Sequence, residues 1–145
     1  KRRFKNYQLH LEWRIPTGIT GADQARGNSG LFLASTDGGD GGYELQILDS
    51  YDNETYFEGQ AGSIYKQTPP MVNAMRKPGE WNTYDVIWTA PTFNEDATLK
   101  TPARVTALQN GVLILNDFEV LGRTPWPDVP TVDTTDLSVD PLEDW

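Results

Sequence analysis

The chain has no cysteine and a single histidine. The first absence excludes disulfides, thiol catalysis and thiolate metal sites, and it leaves the compartment open. The second leaves His10 as the sole imidazole for proton transfer near neutral pH. No apolar run approaches the ~20 residues that span a bilayer, so no transmembrane helix is expected. Bases are scarce: 12 Lys and Arg stand against 21 Asp and Glu, for a formal charge of -9. Such a surface lacks the phosphate-driven part of nucleic-acid affinity and repels anionic membranes, so neither partner is expected. The one basic cluster, Lys1-Arg2-Arg3, is too short to change this. No stretch longer than about ten residues shows capped helical periodicity.

What is present is β-structure. The 145 residues have the size of one domain, and 5 Trp, 6 Tyr and 5 Phe are too many aromatics for a disordered chain. From Tyr7 to Ile15 apolar and polar residues alternate without a break, which puts Leu9, Leu11 and Trp13 on one face of a strand and His10, Glu12 and Arg14 on the other. Further strands are expected at Leu31–Ser35, Tyr43–Leu48 and Tyr84–Thr89. Ala103–Leu108, Asn110-Gly111 and Val112–Leu115 read as a hairpin, because Asn-Gly suits a type I′ turn in which both central residues take positive φ. Gly27–Gly30 and Gly38–Gly42 mark tight connections, and Gln67–Pro78 reads as a loop. Many short strands with polar loops predict an all-β fold, an antiparallel β-sandwich or barrel.

The composition shifts near the end. From Thr124 onward there are four prolines, six acids and no base, so residues 124–145 read as an acidic tail or extended wrap beside a sandwich domain at 1–123. Trp126 and Trp145 suggest that parts of it dock. The chain opens without Met or a signal peptide, and reads as a mature or truncated piece.

Several motifs occur together and in order: Leu9-His10-Leu11-Glu12-Trp13-Arg14, Gly27-Asn28-Ser29-Gly30, Tyr43-Glu44-Leu45-Gln46-Ile47-Leu48-Asp49, Gly59-Gln60-Ala61-Gly62-Ser63-Ile64-Tyr65, Pro78-Gly79-Glu80-Trp81-Asn82 and Asn110-Gly111-Val112. Over roughly Phe4 to Gly122 the chain thereby resembles the 3-keto-disaccharide hydrolase domain family. The resemblance implies a concanavalin-like jelly roll with a concave face toward glycan. It also implies cleavage, by hydrolysis or elimination, of glycosides oxidised at C3, in extracytoplasmic bacterial proteins of the periplasm or cell exterior. Relative to the family pattern, strands before the first motif and a final Arg-Asn-Ile-Trp strand are missing, which leaves the jelly roll incomplete at both termini. Its open sheet edges would then be filled by the tail, by oligomerisation or by a partner chain. Gln109 stands where the family often has His.

The candidate chemistry falls into two rows. His10 and Glu12, about 6.5 to 7 Å apart by Cα on one strand face, form the first with Arg14; without the resemblance this is a solvent-facing stripe. Glu44, Gln46 and Asp49 form the second, spaced like the acid row of jelly-roll glucanases with a bulge before the last acid. Even so, Glu44 and Asp49 stay about 13 Å apart by Cα, whereas a retaining pair needs carboxyls ~5 to 5.5 Å apart. Two roles remain open. One is a divalent metal (Ca, Mn or Zn) held by His10, Glu44 and Asp49 that polarises a keto oxygen; the other is acid–base catalysis by His10 and Glu44, with Glu12 and Asp49 as further carboxylates. Arg14, Asn28, Gln46, Gln60, Tyr65 and Arg104 are candidate sugar contacts. Asn28 equally serves a structural turn, Arg104 an exposed strand, and Trp81 and Trp88 the core. A carbohydrate-binding module on the same fold is the competing expectation, and a structural domain pairing through its edges is the third.

Overall fold

The computed structural model describes residues 4–35, 42–122 and 124. Its strands are β1 (Tyr7–Arg14), β2 (Ser29–Leu33), β3 (Tyr43–Ile47), β4 (Trp81–Thr89), β5 (Thr92–Phe93), β6 (Leu99–Thr101), β7 (Arg104–Gln109) and β8 (Val112–Glu119). Helical backbone among the described residues is confined to two 3-10 turns, Asp23–Ala25 and Phe57–Gly59. The all-β expectation holds. Of the acidic tail expected at 124–145, residues 125–145 lie outside the described residues, as do residues 38–41 of the second glycine-rich connection.

Four strands form one antiparallel sheet in the order β1-β4-β7-β8, and β2 pairs with β3 in another. The small sheet gains a third member without a full strand. Gln46 N–H donates to Ser63 O, Gly62 N–H to Gln46 O and Tyr65 N–H to Glu44 O, so residues 62–65 run along the free edge of β3. A short β5–β6 ribbon lies apart from both.

Alternation explains how the sheets meet. On β1 Trp13 is buried while His10, Glu12 and Arg14 are exposed; on β4 Tyr84, Val86 and Trp88 are buried; on β7 Val105 and Ala107 are. These pack in one cluster with Leu33 of β2 and Tyr43 and Leu45 of β3. Tyr43 touches Trp88 from sheet to sheet, with ring centroids 5.1 Å apart. Tyr84 crosses the same gap and donates its hydroxyl to Gln46 O at 2.7 Å, which satisfies a polar group buried in apolar surroundings. Each large apolar side chain removed from water here contributes about 1.5 to 3 kcal/mol.

The hairpin turn is as expected: Asn110 has φ 54 and Gly111 φ 79. Asn110 is chosen for more than its backbone. Its Oδ1 accepts from Thr83 N at 2.9 Å, and its Nδ2 donates to Ala74 O at 2.8 Å and Asn82 Oδ1 at 2.9 Å, tying the turn to β4 and to the Gln67–Pro78 loop. Two expectations are corrected. Ser29 and Gly30 belong to β2 rather than to a turn, with Gly27 at φ 66 making the bend before them. Trp81 is 53% exposed and lies under the Arg14 guanidinium at 4.9 Å, whereas Trp88 is core.

Candidate functional site

On β3 the side chains of Tyr43 and Leu45 face the core, so Glu44 and Gln46 face away from it, toward the loops. Glu44 lies opposite Phe32 and Gln46 opposite Gly30. A Cβ on Gly30 would sit 2.2 Å from Glu44 Oε1 and 2.9 Å from its Cγ and Cδ. The Glu44 side chain therefore lies across Gly30, in space that any other residue would fill. Burial there pushes its carboxyl up to about 7.

The 23–28 segment roofs this face. Gln24 Nε2 donates to Gly59 O at 2.9 Å and Thr55 Oγ1 at 2.6 Å, and Asn28 Nδ2 donates to Gln24 O at 2.9 Å. Both leave their amide oxygens toward Gln46, whose Nε2 lies 3.2 Å from Gln24 Oε1 and 3.4 Å from Asn28 Oδ1. Beyond Glu44 the Tyr56 and Tyr65 hydroxyls share a hydrogen bond of 2.6 Å, and Lys66 Nζ lies 4.1 Å from the Tyr56 ring centroid. Burial first, then the Tyr65 hydroxyl and the nearby Asp23 and Glu44 charges, raise the Tyr56 phenol above its ordinary range. Two hydroxyls joined by one bond keep one proton to donate outward. Lys66 holds a left-handed backbone (φ 63), an unfavourable conformation for a lysine that persists only where its surroundings enforce it.

The expected residues therefore divide. Glu44, Gln46 and Asn28 meet on this face, with Tyr65 at its margin. Gln60 belongs to the turn that leads into residues 62–65, its carbonyl accepting from Ser63 N and Oγ. His10, Glu12 and Arg14 do not meet Glu44. β1 pairs with β4, so their row covers the outer face of the four-stranded sheet, on the far side of the core. There His10 Nδ1 contacts Asp85 Oδ1 at 2.6 Å, a hydrogen bond that raises the imidazole, and Nε2 stands 4.0 Å from Glu12 Oε1. Arg104 is on that sheet too, held by Asp117 at 2.8 Å and Glu119 at 3.1 Å.

Asp49 is a further correction. It has no exposed surface, and its Oδ2 lies 2.8 Å from Arg26 Nε. That contact is short but not aligned as a hydrogen bond, since both atoms remain without one, so it is chiefly charge attraction. Asp49 Oδ1 accepts from Tyr51 N and its carbonyl from Asn53 Nδ2. It anchors the loop after β3 and does not join Glu44 in a reacting pair. Nor do His10, Glu44 and Asp49 meet around one metal ion, because His10 stands on the outer face of the four-stranded sheet and Asp49 is buried against Arg26. No trio of His, Asp and Glu among the described residues is arranged for one.

Gln24, Phe32, Tyr56 and Lys66 were not singled out from the sequence, and Gly30 figured there only as part of a turn. Gly30 and Phe32 were legible in principle, since fixing the β2–β3 register puts them opposite Gln46 and Glu44. Loop residues such as Gln24 and Tyr56 carry no periodic signal.

The 3-keto-alpha-glucoside-1,2-lyase-like domain matches residues 1–130. The chain belongs to this family. A solved "putative glycosyl hydrolase" from Parabacteroides distasonis is 54% identical with a TM-score of 0.82, over 91% of this chain and 53% of its own. A second so described, from the same organism, is 21% identical with a TM-score of 0.54, over 80% of this chain and 49% of its own, and shows the fold alone. The chain thus spans about half the length of these structures. No curated protein matches it. Family membership and the 54% identical neighbour support a carbohydrate-active role.

Proposed function

We propose that this chain supplies the sugar-facing surface of a glycoside-cleaving protein acting on a 3-keto-glycoside or a related sugar, with Glu44 as its proton-transfer group. The observation that carries the reading is the Glu44 carboxyl itself, laid over Gly30 among side-chain amides and shifted to about 7. A group titrating near the working pH can both take and give a proton. A keto group at C3 acidifies the C2 hydrogen. Removing that proton and expelling the C1 substituent needs one well-placed acid–base group, not two carboxylates at double-displacement spacing. Glu44 is the carboxyl buried in this face, since Asp49 is committed to Arg26. The exposed Asn28 amide suits a sugar hydroxyl, whereas Gln46, 1% exposed, supports Asn28 and Glu44 from behind; the remaining Tyr56–Tyr65 proton suits a keto or hydroxyl oxygen. Phe32, 40% exposed beside Glu44, offers an apolar ring to a pyranose face.

The lone carboxylate also favours a second reading, a carbohydrate-binding module whose polar face holds glycan without turnover. The test is turnover of a 3-keto-disaccharide, with binding measured by calorimetry, for wild type and Glu44→Gln in the protein that carries this chain. The first reading expects turnover to fall by about 10² to 10⁴ while affinity survives, the usual size of a general acid–base contribution. Wild-type rates in Glu44→Gln would overturn it. Binding without turnover in either protein would establish the module.

A further inference from the structure

Residues 64–67 close a tight turn, in which Gln67 N–H donates to Ile64 O at 2.8 Å. Lys66 is the third residue of that turn and stands at φ 63. Gly or Asn is the usual occupant of such a position, because a larger side chain is strained there. Backbone bonds on both sides enforce the conformation: Lys66 N–H donates to Glu58 O at 3.1 Å, and Tyr65 N–H donates to Glu44 O at 3.0 Å. The strained turn puts a charge where extended backbone would not. Consecutive side chains of a strand point to opposite sides. Lys66 Nζ instead lies over the ring of its own neighbour Tyr65, 5.7 Å from the centroid, and over Tyr56 at 4.1 Å.

Two groups here are unspent. Among the described residues Lys66 enters no ion pair, so no carboxylate neutralises its ammonium. The Tyr56 and Tyr65 hydroxyls, 2.6 Å apart, bond only to each other among the described residues, which leaves one proton of the two. Burial, the largest cause, holds the Tyr56 phenol above its ordinary range, so the pair donates a hydrogen bond and does not surrender a proton. Tyr65 also faces the reacting side. Leu45 bridges Ile64 in antiparallel register, so Tyr65 lies opposite Glu44 on the same face, and such neighbours have Cβ atoms about 4.5 to 5.5 Å apart.

We infer that Lys66 is a positioning residue of this site, whose ammonium, fixed over both rings, strengthens the tyrosine pair as donor to a ligand oxygen that becomes negative beside Glu44. This rests on the reading of Glu44 as the proton-transfer group. When Glu44 takes the C2 proton of a 3-keto-glycoside, the C2–H electron pair forms C2=C3 and the carbonyl pair moves onto the C3 oxygen. The negative oxygen is thus one carbon away from the atom deprotonated, as the tyrosine pair is one strand away from Glu44. When those electrons return, C1=C2 forms, the glycosidic C1–O bond breaks, and the departing oxygen takes the proton from Glu44. The Lys66 charge favours the enolate over the neutral ketone, so it acts on kcat more than on binding.

Turnover of a 3-keto-disaccharide tests this in the protein that carries this chain. Lys66→Met keeps the stem on the rings and removes the charge; kcat should fall about tenfold, the size of a desolvated cation–π contact, with KM within about twofold. Lys66→Arg restores the charge and should bring kcat back to within about threefold of wild type. Lys66→Gly, which suits φ 63, replaces the Met variant if that does not fold. In a Tyr56→Phe/Tyr65→Phe protein, Lys66→Met should lower kcat no further, because no hydroxyl remains for the charge to act through. Wild-type kcat in Lys66→Met overturns the inference, as does an Arg variant as slow as the Met variant or a further fall in the double-Phe protein. Loss in Lys66→Met beside wild-type rates in Glu44→Gln would uphold Lys66 and remove Glu44. Loss in Glu44→Gln alone would do the reverse, and a wild-type protein without turnover overturns both.

Discussion

Replacing Gly30 with Ala separates the site from the fold. Gly30 has no positive φ to forbid a side chain, and the three atoms nearest its Cβ all belong to Glu44: Oε1 at 2.2 Å, Cδ at 2.9 Å and Cγ at 2.9 Å. Carbon contacts are comfortable at about 3.5 to 4.0 Å, so the carboxyl must retreat by more than about 1 Å. No backbone atom has to move. An off-rotamer Glu44 costs about 0.5 to 1.5 kcal/mol, and exchanging Gly for Ala in a strand returns about 0.5 to 1 kcal/mol. Net stability should change by less than about 1 kcal/mol. The titration should change much more. Burial holds the carboxyl near 7 against an ordinary 4.5, and a side chain driven off β2 moves into water. We expect the midpoint to drop by at least about one unit. Carbon NMR of the carboxyl with a parallel thermal melt measures both. A Gly30→Ala protein that melts like wild type and whose Glu44 still titrates near 7 would refute the placement of Glu44 over Gly30.

Further outcomes follow from the same geometry. Because the folded-state value of Glu44 is raised, its favourable contribution is complete below 4.5 and is lost as pH climbs through about 7. At about 1.4 kcal/mol per unit the whole shift would exceed about 3 kcal/mol; screening of a half-buried group reduces this to about 1.5 to 2 kcal/mol. Glu44→Gln should therefore be more stable than wild type by that amount at pH 8 and equal to it near pH 4, as read by denaturant unfolding; a difference independent of pH would contradict this. Asp49→Asn should cost about 3 kcal/mol by leaving Arg26 facing a buried neutral partner, and the folded fraction should keep its sugar affinity. Asn110→Ala removes three hydrogen bonds and a residue suited to φ 54, and should lower stability by about 2 to 3 kcal/mol; a loss below about 0.5 kcal/mol would argue against that turn as a fastening point.

Period two made β1, β3, β4 and the β7–β8 hairpin legible, because alternation reports which residues share a face. It does not report which sheet a strand joins. His10 and Glu44 each stand on the polar side of a strand, and only the pairing of β1 with β4 shows that these polar sides look in opposite directions. Asp49 failed for a different reason. An acid that ends a strand reads the same whether it faces solvent or closes on an arginine twenty-three positions earlier. Glu44, Gln46, Asn28 and Tyr65 were found because they sit in or beside strands that carry family motifs. Gln24, Tyr56 and Lys66 were missed because loop geometry, unlike strand geometry, leaves no period in the sequence.

The sharpest trial of the account compares two single substitutions on the same 3-keto-glycoside. Glu44→Gln should cut turnover by about 10² to 10⁴, and His10→Ala, altered on the outer face of the other sheet, should leave it at the wild-type rate. Loss of turnover in His10→Ala, with Glu44→Gln active, would move the chemistry to the opposite side of the protein and contradict the account.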